Sequence, residues 1–276
     1  MTPEQRCAIE CRLTMTPPDL SGRAALVTGG GRGLGRSIAL GLARARARVA
    51  VVARTREQLE RVVAEIEASG GDAMAAVADV TDRAAVESAV AAVKATLGPI
   101  AILVNNAGLA RPYGPIGSVD PDEWWRSHAI HVRGTLLFMS AVLPGMRARR
   151  AGRIINIASK GGIVVAPNLS SYCVAKATVI RLTEHVDAEA RAQGVRAFVV
   201  QPGTIITDMA RESIADPEAR KWVPFLVDDL QAMIDQDPTA DLKRLGMQIV
   251  ELASGRHDAL AGAYLDLERG LAATGP

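Results

Sequence analysis

The sequence predicts a single α/β domain built on a doubly wound, mostly parallel seven-stranded sheet with helices on both faces. Two observations support this fold class. From residue 22 onward, short runs of β-branched and other apolar residues alternate with longer segments rich in Ala, Glu and Arg. The short runs are almost continuously apolar, as expected for parallel strands buried on both faces. Because parallel strands are joined by right-handed crossovers, the intervening helices cover both sides of the sheet.

Seven short runs of small and β-branched apolar residues are predicted as strands. In chain order they cover residues 24–28, 49–53, 74–78, 101–105, 153–158, 196–201 and 263–267. The segments between them show the apolar spacing of amphipathic helices. In chain order these cover 34–46, 56–69, 82–97, a long helix that begins near Pro121, and 171–193.

The segment between Met209 and Thr239 interrupts this alternation. It contains three prolines and a mixture of apolar and acidic residues, but no predicted strand. Thirty such residues placed directly after a strand predict a helical lid or a partner surface. A solvated pair of helices is the alternative.

Composition and charge limit the function classes. The chain has 276 residues, of which 49% are hydrophobic, and this excludes a disordered or fibrous protein. Thirty-two Lys and Arg residues against 30 Asp and Glu residues leave a net charge of +2. So balanced a charge gives no electrostatic reason to expect nucleic acid or an anionic membrane as a partner.

The first 19 residues are predicted to be an extension of the domain, which itself covers residues 20–276. Met15-Thr16 repeats the opening Met1-Thr2, so either Met15 is the natural start or residues 1–14 form a loosely held extension. The charged residues of this stretch leave no apolar core for a secretory signal. No apolar run approaches about 18 residues, so no membrane span is expected.

Three cysteines, Cys7, Cys11 and Cys173, are too few for a disulfide framework. No second cysteine pair or histidine pair lies at zinc-ligand spacing, so no metal site is predicted. Three reduced thiols are typical of a cytoplasmic protein.

A glycine-rich turn follows the first predicted strand. Residues 28–35 read Thr-Gly-Gly-Gly-Arg-Gly-Leu-Gly, between a strand and a helix. Glycines allow the backbone to turn tightly and to approach a ligand, and the helix N-terminus attracts phosphate. The turn therefore predicts a dinucleotide site formed by Gly29, Gly31, Arg32, Gly33, Leu34 and Gly35. No Gly-Lys-Ser/Thr sequence follows, which excludes a nucleotide triphosphatase loop.

The end of the second strand indicates which dinucleotide binds. An acidic residue there would bind a ribose 2′-hydroxyl, whereas an arginine accommodates a 2′-phosphate. The sequence has Arg54 at this position, and residues 51–56 contain no acid. Arg54, with Arg32 from the glycine turn, can form charge-assisted contacts to phosphate, so NADP is favoured over NAD. Two solvated arginines are the alternative.

Three polar residues suggest acid–base chemistry. Tyr172 and Lys176 are four residues apart on a predicted helix and project from one face. Ser159 lies thirteen residues earlier, at the end of a strand. An ammonium about 5 Å from the phenol would favour phenolate by roughly 3 kcal/mol at an effective dielectric constant of about 20. This shift would bring Tyr172 toward the working range of a general acid or base.

These residues together resemble the short-chain dehydrogenase/reductase family in its single-domain form, over about residues 20–270. The motifs that match are the glycine turn, Asp79, the Asn-Asn-Ala-Gly run at 105–108, Ser159, the Tyr-x-x-x-Lys pair of Tyr172 and Lys176, and Pro202-Gly203. The resemblance implies that Asp79 and Val80 contact adenine and that Asn106 lies against a cofactor ribose. It also implies that Ile205 and Thr207 hold the nicotinamide end.

The same resemblance implies hydride transfer between a carbonyl carbon and its alcohol. Tyr172 would donate the proton to the carbonyl oxygen, and Ser159 would polarise that oxygen through a hydrogen bond. Lys176 would lower the pKa of Tyr172 and hold the nicotinamide ribose.

Two positions depart from the family pattern. Where the family usually has Asn-x-x-Gly, with the asparagine backbone holding a relay water, this chain has His131-Val132-Arg133-Gly134. His131 is therefore a candidate catalytic residue whose imidazole could titrate near pH 6.5; simple packing in a helix kink is the alternative. The acidic-Gly-Gly turn that often ends the family is also absent, which affects subunit contacts rather than the catalytic site.

Candidate substrate contacts are mostly apolar. They are Lys160, Gly161, Tyr113, Met209, Trp222 and Phe225. No arginine cluster is placed to bind a phosphorylated substrate, so we expect a hydrophobic ketone, aldehyde or alcohol. By resemblance, the helices over 122–149 and 171–193 would assemble a homotetramer or dimer, although their apolar residues Leu136, Leu137, Val142, Val179 and Leu182 could equally belong to the core.

Three functions stay open on the sequence. The first is an NADP-dependent carbonyl reductase or alcohol dehydrogenase. The second is a binding protein that senses NADP(H) without turnover. The third is a tailoring enzyme that reduces an enone or performs a dehydrating step.

Overall fold

The computed structural model describes residues 18–271 and has the predicted fold. Seven strands form one sheet: β1 Ala24–Thr28, β2 Arg48–Ala53, β3 Ala73–Val77, β4 Ile100–Asn105, β5 Gly152–Ile157, β6 Val195–Gln201 and β7 Tyr264–Asp266. Their order is β3-β2-β1-β4-β5-β6-β7, and all neighbours pair in parallel. The prediction of a doubly wound α/β sheet is confirmed. No predicted strand end differs from the observed one by more than one residue, and β1 agrees at both ends.

Helices connect consecutive strands. They are α1 Gly33–Arg44, α2 Arg56–Ala68, α3 Arg83–Leu97, α4 Pro121–His128, α5 Gly134–Ala148, α6 Ser170–Ala190, α7 Asp208–Ala215, α8 Pro217–Trp222, α9 Pro224–Ala232 and α10 Thr239–Ser254. A π-helical turn, Ala129–Arg133, joins α4 to α5. The predicted long helix near Pro121 is therefore two α-helices with one wider turn between them.

Two apolar layers cover the sheet because successive strand residues point to opposite faces. Ala25 and Val27 of β1 belong to a layer formed with α1, α2 and α10. Leu26 of the same strand belongs to the opposite layer, formed with α3, α5 and α6. Both layers contain fully buried Val, Leu and Ile residues, each of which contributes about 1.5–3 kcal/mol to folding. This packing fixes the strand ends that position the functional residues.

The stretch Pro121–Ala148 is long and apolar enough to pass a length and composition test for a membrane span. Its apolar residues are interrupted by His131 and Arg133, so the expectation of no continuous apolar run of about 18 residues is consistent with this test. Core helices of soluble proteins pass the same test. Here Phe138, Met139 and Met146 are fully buried against the sheet, so this stretch is a core helix of the domain.

The segment that interrupts the alternation is helical and has no strand, as predicted. Its helices α7, α8 and α9, residues 208–232, are called the 208–232 segment below. Pro217 and Pro224 each occupy the first helical turn, where the missing N–H of proline is not needed.

Most of the predicted N-terminal extension, with Cys7 and Cys11, lies outside the described residues. Of that stretch only residues 18–19 are described. The domain packs from Leu20 onward, since Leu20 is fully buried and its N–H donates to Ala45 O at 2.7 Å. Cys173 is a free, buried cysteine on α6.

Candidate active site

The carboxyl ends of β1, β4, β5 and β6 lie side by side at one edge of the sheet. Successive strands are added toward one edge of the sheet from β1 to β3 and toward the other edge from β4 to β7. The boundary between β1 and β4 is therefore the switch point at which doubly wound sheets bind ligands. The glycine turn follows β1, Asn106 follows β4, and Ser159 follows β5. The fold therefore brings the predicted cofactor and catalytic residues to one crevice.

The glycine turn has the geometry of a phosphate cradle. Gly29 and Gly33 have positive φ angles of 63° and 51°, which glycine adopts without strain. A Cβ on Gly35 would lie 2.1 Å from Gly29 O, so only glycine fits there. Helix α1 has neither a side-chain cap nor an acidic residue in its first turn, whereas Asp82 caps α3. The N–H groups and dipole of α1 are thus available to a phosphate, and the turn fits a dinucleotide.

Thr28 and Asn106 hold the turn in place. The Thr28 hydroxyl accepts hydrogen bonds from the N–H groups of Asn106, at 3.0 Å, and Ala107, at 3.1 Å. The Asn106 amide donates to Thr28 O at 3.0 Å and to Gly29 O at 3.3 Å. The sequence prediction did not assign this positioning role to Thr28, although its place directly before the glycines was a usable signal.

The two arginines predicted for the 2′-phosphate differ in their surroundings. Arg54 is exposed, and its guanidinium forms no hydrogen bond or ion pair with any residue between 18 and 271. Arg32 is also exposed, but it forms an ion pair with Glu212 of α7. That hydrogen bond is the main reason why the pKa of Arg32 is raised. No sequence signal linked Arg32 to a residue 180 positions away.

The residues assigned to adenine and nicotinamide lie near the same edge. Burial would raise the pKa of Asp79, but hydrogen bonds from Thr81 and the charge of Arg54 outweigh burial and lower it. Val80 is buried beside Gly134. Thr207 lies over the glycine turn, since a Cβ on Gly33 would be 3.5 Å from its side chain. The remaining two, Ile205 and Leu34, are half-buried and pack on the apolar layer of α1.

Ser159, Tyr172 and Lys176 meet at the end of β5. The Ser159 hydroxyl accepts a hydrogen bond from Gly161 N–H at 3.1 Å and lies close enough to the half-buried Tyr172 to act on its pKa. The Lys176 ammonium lies 5.6 Å from the centre of the Tyr172 ring. It donates to Ile157 O at 2.7 Å and is only 5% exposed.

The expected lowering of the Tyr172 pKa by Lys176 is not found. Burial raises the pKa of Tyr172, and the nearby Ser159 hydroxyl acts in the opposite direction but more weakly. Burial also lowers the pKa of Lys176 to about 8. The lysine is therefore neutral over the pH range in which so raised a phenol would ionise. The prediction treated the lysine as permanently charged, because sequence spacing does not show its burial.

His131 lies in the π-helical turn, which separates its backbone from regular α-helical bonding. Such turns often occur at functional sites. Its Nε2 lies 2.8 Å from Leu109 O and 3.3 Å from Leu109 N. The shorter contact favours Nε2–H as donor to the carbonyl, which leaves Nδ1 as a buried acceptor with no partner among residues 18–271. The ring meets Tyr172 edge to face at 5.5 Å.

The prediction that His131 titrates near pH 6.5 was wrong. Burial, and then the charge of Lys176, lower its pKa to about 3. The imidazole is neutral at physiological pH. The ring also fills the space over Gly108, where a Cβ would lie 2.5 Å from His131 Cε1.

An apolar cluster lies beside Tyr172. Tyr113, Leu169, Cys173 and Val223 are among its buried members, and Trp222 packs against it. The Tyr113 hydroxyl is hydrogen-bonded to Ser213 Oγ at 2.8 Å. Of the other predicted substrate contacts, Phe225 is half-exposed and Lys160 is exposed, whereas Gly161 and Met209 are half-buried.

Together, the sheet edge and the glycine turn define a Rossmann-type fold that places a serine–tyrosine–lysine group beside its glycine turn. The chain belongs to the short-chain dehydrogenase family, whose model matches residues 23–218. Members of this family are oxidoreductases that use a nicotinamide cofactor.

Similar proteins agree with this assignment. A short chain dehydrogenase of Pseudocercospora fijiensis is 38% identical over 192 residues, which are 69% of this chain but only 62% of that protein. The crystal structure of levodione reductase superposes with a TM-score of 0.80 at 30% identity, over 92% of this chain and 99% of that one. A gluconate 5-dehydrogenase from Burkholderia cenocepacia, solved in complex with NADP and tartrate, has a TM-score of 0.78 at 30% identity, over 93% and 98%.

Proposed function

We propose that the protein is an NADP(H)-dependent oxidoreductase that interconverts a hydrophobic ketone or aldehyde and its alcohol, with Tyr172 as general acid and base. The observation that carries the proposal is the convergence of Ser159, Tyr172 and Lys176 at the same sheet edge as the uncapped glycine turn. A glycine turn or a Tyr-x-x-x-Lys pair alone would be weak support. Their common location supports a reaction between a bound cofactor and a carbonyl.

Residues of the chain fit the cofactor in three groups. The glycine turn and α1 would hold the diphosphate, Asp79 and Val80 the adenine, and the remainder the ribose and nicotinamide ends: Asn106, Lys176, Ile205 and Thr207. When bound, the nicotinamide supplies the hydride that a carbonyl carbon accepts.

The side chains of the site handle the proton and the carbonyl oxygen. Ser159 would donate a hydrogen bond to the oxygen, and Tyr172 would donate the proton during reduction. Its raised pKa keeps the phenol protonated at neutral pH, which suits an acid in the reductive direction. In the oxidative direction, the same phenol must first lose its proton, so we expect oxidation to favour alkaline pH.

His131 acts as a positioning residue in this scheme. As a neutral ring, it holds the 108–109 loop through Leu109 and contacts the edge of Tyr172. It fixes the neighbourhood of the general acid without taking part in proton transfer.

The preference for NADP rests on Arg54. Its exposed guanidinium has no hydrogen bond or ion pair within residues 18–271, and residues 51–56 contain no acid that would bind a 2′-hydroxyl instead. The structurally similar gluconate 5-dehydrogenase was solved with NADP, which supports this choice.

The substrate class rests on the apolar cluster beside Tyr172. Tyr113, Trp222 and Leu169 offer apolar contacts to a bound molecule. We infer a hydrophobic, ring-sized carbonyl compound.

A homodimer or homotetramer would use the outer faces of α4, α5 and α6. Trp125, Leu136 and Val174 are between 45% and 63% exposed there, and exposed large apolar residues favour a subunit contact. Val142 and Val179 belong to the core instead. We place the protein in the cytoplasm, where a free thiol such as Cys173 stays reduced.

The proposal is tested by fluorescence titration of NADPH and NADH with the wild type and with Arg54→Ala. NADPH should bind at least about tenfold more tightly than NADH, and the variant should lose this difference, which corresponds to about 1.4 kcal/mol. A panel of ketones, alcohols and enones with NADPH oxidation as readout then gives the substrate class. Equal binding of the two cofactors would contradict the NADP assignment, and tight binding without turnover on any compound would contradict the enzymatic one.

A further inference from the structure

Two neighbouring arginines at the start of α1 are each paired with a carboxylate from another helix. Arg32, in the glycine turn, pairs with Glu212 of α7. Arg36, one turn further, pairs with Glu65 of α2 at 2.5 Å. The two pairs have similar exposure, but only the first joins the glycine turn to the 208–232 segment.

Helix α7 begins directly against the glycine turn, where Thr207 faces Gly33. Asp208 and Glu212 are four residues apart and therefore lie on one face of α7. Both carboxylates act on Arg32: Glu212 through a hydrogen bond and Asp208 through its charge. Arg32 is thus held toward the 208–232 segment rather than left free, as Arg54 is.

We propose that Glu212 is a coenzyme-selectivity residue, whose carboxylate competes with the 2′-phosphate of NADP(H) for Arg32. This inference rests on the proposed NADP(H) use. Binding of NADPH exchanges the Arg32–Glu212 pair for an Arg32–phosphate pair, whereas NADH leaves the Arg32–Glu212 pair intact. Glu212 therefore lowers the affinity for NADPH without changing the affinity for NADH, and only the phosphorylated cofactor releases α7 from the glycine turn.

The exchange is physically accessible. The side chains of Arg32 and Glu212 are 47% and 60% exposed, so breaking their pair removes little stabilisation. A 2′-phosphate has a larger negative charge than a carboxylate and can contact the guanidinium through two oxygens. The turn, α1 and α2 also border a surface cavity of about 360 Å³, whose charged lining consists of Arg32, Arg36, Arg61, Glu65 and Asp208. This cavity gives an incoming phosphate room beside Arg32.

The test measures dissociation constants of NADPH and NADH by fluorescence titration. The proteins are the wild type, Glu212→Gln, Arg32→Ala, the double variant, and Glu65→Gln as a matched control. Glu65→Gln removes one negative charge from the same region but frees Arg36 instead of Arg32. We expect Glu212→Gln to tighten NADPH binding about two- to fivefold, the range that corresponds to an exposed ion pair. NADH binding should stay unchanged, and the gain should vanish in the Arg32→Ala background.

A second measurement follows the helix itself. Hydrogen exchange of the amides over 208–215 should be faster with saturating NADPH than with saturating NADH, and this difference should disappear in Glu212→Gln. Equal tightening by Glu212→Gln and Glu65→Gln would overturn the competition, because it would show only a general charge effect. If Arg54→Ala abolishes a clear NADPH preference while Glu212→Gln has no effect, the competition fails and the proposed function stands. Equal binding of NADPH and NADH to the wild type overturns both.

Discussion

Two regions of the candidate site are held in place by different forces: the buried strand ends beneath it, called the floor here, and the 208–232 segment. In the floor, Asn105 donates to Asn156 at 2.8 Å, and Asn156 donates to Thr183 at 2.9 Å, all of them buried. The 208–232 segment is attached to the glycine turn through an ion pair that water reaches, Arg32–Glu212, whose side chains are 47% and 60% exposed. Buried polar networks are stiff and costly to break, whereas exposed pairs exchange partners cheaply. The proposed acid–base group thus lies on a rigid base, whereas the 208–232 segment can rearrange.

The largest expected effect is a loss of kcat when the proposed proton donor on the rigid base is removed. Tyr172→Phe removes the proposed proton donor and should lower kcat by about 10²- to 10⁴-fold, the usual contribution of general acid–base catalysis. Steady-state kinetics on a substrate from the ketone panel measures this loss. Tyr264→Phe is the matched control, because its buried hydroxyl has no hydrogen-bond partner in the described chain. Similar kcat values for the two variants would remove Tyr172 from the proton-transfer role.

The next effect concerns stability and compares the two regions directly. Asn156→Ala leaves the buried side-chain amide of Asn105 without its partner and removes the hydrogen bond that the Thr183 hydroxyl accepts, while that hydroxyl still donates to Val179 O. The free energy of unfolding should therefore fall by about 2–4 kcal/mol. Asp216→Ala in the 208–232 segment removes the cap of α8 and the pair with Arg111. That change should lower the same quantity by about 1–2 kcal/mol, the usual loss for a helix cap. Urea unfolding measures both, and a larger loss for Asp216→Ala would reverse the comparison.

The smallest effect is a pH dependence from His131. Its pKa is 6.5 in the unfolded chain and about 3 in the folded one, so between these values the unfolded state binds more protons. The free energy of unfolding therefore falls as the pH is lowered below 6.5, by up to about 1.4 kcal/mol per pH unit from this one group. His131→Asn should flatten this slope between pH 6.5 and 5. The exposed His185→Asn control should not, and an unchanged slope in His131→Asn would contradict the neutral buried ring.

The sequence predicted what depends on local patterns. Both ends of strand β1 were predicted correctly. Ser159, Tyr172 and Lys176 were selected from the sequence, and the structure brings them together at the end of β5. Properties that depend on burial were missed. The pKa of Tyr172 is raised rather than lowered, and the pKa of His131 is lowered, because the surrounding helices exclude water. Spacing along the chain does not encode that exclusion.

Long-range pairing was missed for a related reason. The partner of Arg32 comes from a helix 180 residues later, and charge patterns are only informative within a helix or two. The assignment of Leu136 to the surface and Val142 to the core likewise needed the orientation of α5. Leu136 and Val142 are six residues apart, and helical periodicity alone does not show which of the two side chains faces the core.

The contact between Gly108 and His131 limits how this protein can evolve. A methyl group at position 108 would lie 2.5 Å from His131 Cε1, so Gly108→Ala requires the imidazole to leave first. With a smaller residue at position 131, such as asparagine, the same change at position 108 becomes sterically possible. The two substitutions are therefore accessible in one order only, and related chains that keep a histidine at this position should keep the glycine with it.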